Sequence, residues 1–62
     1  MKRVTIDYTN WRGERSIRDI MPLGMAFSRN QWHPEPQWLV YAYDIEKKET
    51  RAFAMLKIHS WV

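Results

Sequence analysis

An all-β domain is predicted by three features of the chain. Residues 2–9 alternate with period two, Val4, Ile6 and Tyr8 on one side and Thr5, Asp7 and Thr9 on the other, as in a half-buried strand. Residues 38–45, WLVYAYDI, are apolar or aromatic on both sides, as in a strand covered on both faces. Turn-forming residues punctuate the chain at Asn10-Trp11-Arg12-Gly13 and at Glu46-Lys47-Lys48-Glu49.

The remaining elements follow in order. Residues 14–20, ERSIRDI, read as a second strand, although each side carries an isoleucine (Ile17 or Ile20) and neither is clearly the core face. A helix is the alternative there, and Pro22 would stop it. Met21-Pro22-Leu23-Gly24 reads as a bend, and Met25-Ala26-Phe27 as the start of another strand. Residues 28–37 read as a loop, extended around Pro34 and Pro36 and carrying Trp32 and His33. The strand at 38–45 is expected to be central, and residues 50–58, TRAFAMLKI, form a last strand. Four or five short strands without a helix bury their apolar side best by curling into a small barrel.

With 62 residues the chain forms one domain, and at that size only roughly 60% of the unfolded surface is buried. No cysteine is present, so neither a disulfide nor a thiolate metal site stabilises it. Four Trp, three Tyr and two Phe supply the means to fill a small core. No apolar run reaches the length of a membrane span and no signal-like segment follows Met1, so a cytoplasmic protein without a membrane partner is expected.

The net charge of +3 arises entirely in residues 1–31, and six of the ten basic residues are Arg. Guanidinium groups favour planar, bidentate contacts to phosphate or carboxylate, which points to an anionic partner such as nucleic acid or a nucleotide. The plain alternative is that the charge keeps a small domain soluble.

Catalysis has no positive signal. His33 and His59, the two histidines, lack the spacing of a zinc pair. His33 is expected to stack or donate one hydrogen bond within the loop, and His59 to face solvent. The serines have no glycine-rich elbow, and the two glycines make no phosphate loop. No metal, cofactor or enzymatic activity is expected. What remains is a set of Arg and aromatic residues, the combination that pairs phosphates and stacks bases. Arg15, Arg18 and Arg51 fall within strands, where a charge on an inner face needs a partner. Trp38, Tyr41 and Tyr43 read first as core packing and second as stacking groups. Trp11 and Trp32 read either as a lid over the end of a barrel or as ligand-stacking groups.

The ordered set Ile6-Asp7-Tyr8, a glycine turn, Arg18-x-Ile20-x-Pro22, Trp38-Leu39-Val40-Tyr41-Ala42-Tyr43-Asp44 and Arg51-Ala52-Phe53-Ala54-Met55-Leu56-Lys57-Ile58 resembles the WYL domain over nearly the whole chain. Residues 32–39, WHPEPQWL, resemble a stretch found in short, stand-alone bacterial members. Trp38 is followed directly by Leu39, without the family's intervening Tyr, and Leu56 stands where an acidic residue is common. The resemblance implies a small SH3-like, Sm-like barrel of four to five antiparallel strands. WYL domains usually accompany a helix-turn-helix in bacterial regulators and act as sensors of nucleic acid or nucleotide-like ligands. No helix-turn-helix is expected in these residues.

The expected ligand-binding residues are Arg18 and Arg51 for the anion and Trp38 or Tyr43 for stacking, with Tyr43 and Lys57 the weaker members. The expected function is a non-catalytic regulatory module for a nucleic acid or nucleotide. The alternative is a structural module acting through a homo-oligomer, a protein partner or strand addition. Removing Arg18 and Arg51 together is expected to abolish binding and to leave the melting temperature nearly unchanged.

Overall fold

The computed structural model describes residues 2–61. Five antiparallel strands, β1 (Val4–Thr9), β2 (Arg15–Ser28), β3 (Gln37–Asp44), β4 (Glu49–Ala54) and β5 (Ile58–Trp61), form one sheet in the order β4-β3-β2-β1-β5. A single 3-10 turn, Met55–Lys57, joins β4 to β5. The fold is all-β, as the alternation and turn residues imply.

β1 presents Ile6 and Tyr8 inward, and both are buried. The first turn closes as the sequence implies. Gly13 adopts φ 83°, a conformation costly for any side-chain-bearing residue, and its N–H donates to the Asn10 carbonyl at 2.9 Å.

The bend expected at residues 21–24 is not a break. β2 runs through it for 14 residues, with a register shift between Pro22 and Gly24. Its first part pairs with β1 as far as Ile20 opposite Val4, and its second pairs with β3 from Ile20 opposite Asp44 to Ser28 opposite Gln37. Pro22 lies where β2 has one neighbour, a place where a missing N–H leaves no ladder bond unmade. The irregularity that follows is a bulge, which bends the strand and sharpens its twist. β3 has a neighbour on each side, as its apolar composition implies.

The last strand expected at residues 50–58 is two strands. The chain leaves β4 at one edge of the sheet, makes the 3-10 turn, and joins β1 as β5 at the other edge. No glycine or proline marks that crossing.

The sheet is strongly curled. Two strands separate β4 from β1 in the sheet order, so in a flat sheet they would lie about 14 Å apart. Instead the Ala54 N–H donates to the Tyr8 hydroxyl at 3.3 Å, and the Tyr8 and Phe53 rings meet edge to face with centroids 4.9 Å apart. Ile6, Tyr8, Ile20, Val40, Ala42 and Phe53 form the core inside this curl, with Val4 and Ile58 packed against it. Burying side chains of this size stabilises by about 1.5–3 kcal/mol each. Closure into a barrel is not found: the edge strands β4 and β5 share no ladder, and the sheet is open.

Candidate functional site

A cavity of about 830 Å³ opens on the inner side of the curl. Its lining comes from Tyr8 of β1, Asn10 and Trp11 of the following turn, and Arg18 of β2. Residues 30–33 of the second loop, Tyr41 of β3 and residues 49–53 of β4 complete it. The volume lies in the range of small-molecule sites.

Arg18 and Arg51 converge here through register. Arg18 stands opposite Ile6 on β1, and Arg51 stands opposite Ala42 on β3, so both share a face with core residues. Tyr8 lines the same cavity as both. Burial pushes the Tyr8 phenol above its ordinary value, while the hydrogen bond from Ala54 and the charges of Arg18 and Arg51 pull it down.

The two guanidinium groups are held differently. Arg18 donates from Nε to the Ser16 hydroxyl at 2.9 Å and from Nη1 to Asp44 Oδ2 at 3.1 Å. Its side chain is 12% exposed and that of Asp44 is 0% exposed, so this ion pair is out of water. The other Asp44 oxygen accepts the Lys47 N–H, and the Asp44 carbonyl accepts the Lys48 N–H, which ties the pair to the β3–β4 turn. Arg51 donates from Nε to Glu49 Oε1 at 2.8 Å, and both of those side chains are substantially exposed.

Two tryptophans line the same cavity, each presented by an asparagine turn. Asn10 Oδ1 accepts the N–H groups of Arg12 and Glu14, and Asn30 Oδ1 accepts those of Trp32 and His33. The turns bring Trp11 and Trp32 together with centroids 5.2 Å apart and planes 30° apart. Both remain about half exposed, and the Arg12 guanidinium lies 5.5 Å from the Trp11 ring centroid. The cavity lining thus combines flat aromatic rings with two guanidinium groups, each of them paired with a carboxylate.

The residues expected to bind ligand divide between two places. Arg18 and Arg51 line the cavity, and Trp38, Tyr43 and Lys57 do not. Trp38 lies at the far end of the β2–β3 hairpin, packed edge to face on Phe27 at 5.6 Å and half exposed. Tyr43 stands between Met21 and Thr50 on the parity of β3 opposite to the core residues Val40 and Ala42. Lys57 is in the 3-10 turn. The aromatic residues that line the cavity are Trp11 and Trp32, with Tyr8, Tyr41 and Phe53. His33 is buried in the loop, and His59 is exposed with its Nε2 bonded to the Thr9 hydroxyl at 2.7 Å.

Asp44 is the residue that strand pattern alone does not single out. The signal available is indirect: an arginine on the same side as Ile6 and Ile20 needs a buried carboxylate, and several acids could supply it. The ion pair also changes the expected cost of removing Arg18. Its loss would leave Asp44 charged and buried, so the melting temperature of the double variant cannot stay unchanged.

Among the described residues no three His, Cys, Asp or Glu side chains gather as a metal site, and no helix is long and apolar enough to cross a membrane. No curated protein and no solved structure matches the chain. A family model for the WYL domain, generally a regulatory and non-catalytic ligand-binding domain, matches residues 1–62, the whole of the chain, and the chain therefore belongs to the WYL domain family.

Proposed function

We propose that this WYL domain is a non-catalytic regulatory module that binds an anionic, ring-bearing ligand, a nucleotide or a short stretch of single-stranded nucleic acid. The observation that carries the reading is one cavity lined both by Arg18 and Arg51 and by the Trp11–Trp32 pair. Guanidinium groups pair with phosphate, and a flat aromatic wall stacks a base. Trp38, Tyr43 and Lys57 lie outside the lining of this cavity.

The test is a tryptophan fluorescence titration with a nucleotide panel, short single-stranded DNA and its RNA equivalent. Saturable quenching is expected from Trp11 and Trp32. It should persist in Trp38→Phe and Trp61→Phe and fall sharply in Arg51→Gln. Two phosphate contacts on a single strand give a slope of about −1.4 for log K against log salt. A flat response at low salt, or a response lost with Trp38 and kept without Arg51, would overturn this assignment.

A second reading has its own observation. Leu23, Met25, Phe27 and Trp38 are each about half exposed along the β2–β3 hairpin, which suits a protein partner or self-association. Sedimentation distinguishes it: a monomer at high protein concentration counts against self-association, and a dimer lost in Trp38→Ser supports it.

A further inference from the structure

We propose that Glu49 is a built-in competitor for Arg51: its carboxylate occupies the guanidinium in the ligand-free protein, and the ligand's phosphate replaces it, while the Arg18–Asp44 pair stays in place. The inference rests on the anion-binding reading above and adds how that site exchanges its partner.

The two arginines of the cavity each hold one carboxylate, and the surroundings of the pairs differ. Asp44 is sealed from solvent and bonded to Arg18 and to the backbone N–H of Lys47. Separating that pair would leave a buried charge without a partner, which costs far more than an incoming ion returns. Glu49 and Arg51 are 54% and 41% exposed. Exposed pairs are weak and open readily to water.

Strand geometry sets up the competition. Glu49 and Arg51 are two residues apart on β4, so their side chains leave the same face and meet. β4 is an edge strand, with no neighbour beyond it to hold Glu49 down. Glu49 also stands directly opposite Asp44 in the β3–β4 ladder. Like charges at such positions repel, and the repulsion favours Glu49 turning outward once Arg51 has another anion.

The contact also blocks what a phosphate needs. Glu49 takes the Nε of Arg51. A phosphate gripping the guanidinium through its Nε edge in a two-bond fork has to displace it. An anion that forks both N–H groups of that edge gains two charge-assisted bonds in exchange for the one it displaces. Glu49 thus sets a cost that such a ligand offsets. Arg18, pinned by Ser16 and Asp44, provides the fixed reference point of the site.

The test is a titration of wild type, Glu49→Gln, Arg51→Gln, the Glu49→Gln/Arg51→Gln double variant and Glu35→Gln with a short oligothymidylate, read by tryptophan fluorescence. Glu35 is exposed and lies outside the cavity lining, so its variant carries the same change in net charge without touching Arg51. Glu49→Gln is expected to tighten binding by about 2- to 5-fold, the range set by an exposed ion pair. The gain should vanish in the Arg51→Gln background, because the effect passes through that guanidinium. A gain in Glu35→Gln as large as in Glu49→Gln, an undiminished gain without Arg51, or unchanged or weaker binding in Glu49→Gln would each overturn the inference. Absence of binding by every protein, wild type included, would instead overturn the anion-binding reading, and the inference with it.

Discussion

Asp44 shows how much one side chain decides here. Its carboxylate is fully buried, neutralised by Arg18 and bonded to the turn that follows β3. Breaking a buried pair by removing one partner costs about 3–5 kcal/mol. A chain of 62 residues has a total stability of roughly 3–9 kcal/mol on the usual per-residue scale. Asp44→Asn is therefore expected to remove most of the cooperative thermal transition, followed by near-ultraviolet circular dichroism. Melting within a few degrees of wild type would show that the pair contributes little. Lys48 offers the opposite case. It holds φ 57° at the β3–β4 turn, a conformation that glycine adopts without strain. Lys48→Gly is expected to stabilise by about 0.5–1 kcal/mol in urea unfolding, and a loss of stability would contradict this account of the turn.

At the scale of elements, β2 organises the sheet. It holds β1 through Ile20 and β3 from Ile20 onward, so one strand serves two partners on different sides. Ion pairs reinforce the β1–β2 ladder. Arg15 grips Asp7 through Nε and Nη2, both at 2.9 Å, and Asp19 accepts from the Thr5 hydroxyl and from Arg3. The Arg15 hydrogen bonds hold the Asp7 carboxyl below its ordinary value, and those from Thr5 and Arg3 do the same for Asp19. A carboxylate with a depressed folded value contributes its full stability above the ordinary value of 3.8. That contribution is lost as pH falls through the lower, folded value. The melting temperature is thus expected to fall on acidification below about pH 4, and to fall less steeply in the Asp7→Asn/Asp19→Asn variant. An identical acid limb in both proteins would assign the loss to other groups. Both pairs lie at the solvent-facing surface, where screening keeps such contributions small.

The whole molecule depends on curl. The core is one cluster drawn from β1, β2, β3 and β4, and Phe53 carries β4 across to Tyr8. Phe53→Ala is expected to destabilise by about 3–5 kcal/mol. The loss should spread to β1 as well as β4, seen as faster amide hydrogen exchange at Ile6 and Tyr8. Exchange confined to β4 would mean that the edge folds independently of the rest. The same curl creates the cavity, because Arg18 on β2 and Arg51 on β4 approach one phenol only when the sheet bends. The proposed ligand site and the core therefore draw on one surface, and a change at Phe53 is expected to weaken both.

Local sequence determined the elements wherever one short-range interaction decides. The alternation of Val4, Ile6 and Tyr8 marks β1 because side chains on a strand alternate faces. Asn10 and Gly13 mark the first turn because one caps it and the other adopts its positive φ. The apolar run at residues 38–45 marks β3 because it is flanked on both sides. The family resemblance, carried by the ordered motifs, extends over the whole chain. The tertiary structure alone decided the continuity of β2 through Pro22, since a proline breaks a ladder only where a neighbour needs its N–H. It also decided the split between β4 and β5, which follows from the distance between the two edges of the sheet. Site membership was equally out of reach of local pattern. Trp38 and Tyr43 lie on one strand with strong stacking chemistry, yet it is Trp11 and Trp32, some twenty residues apart in loops, that line one cavity with Arg18 and Arg51. Residue type reports what a side chain is able to contact, and the curl of the sheet determines which side chains meet.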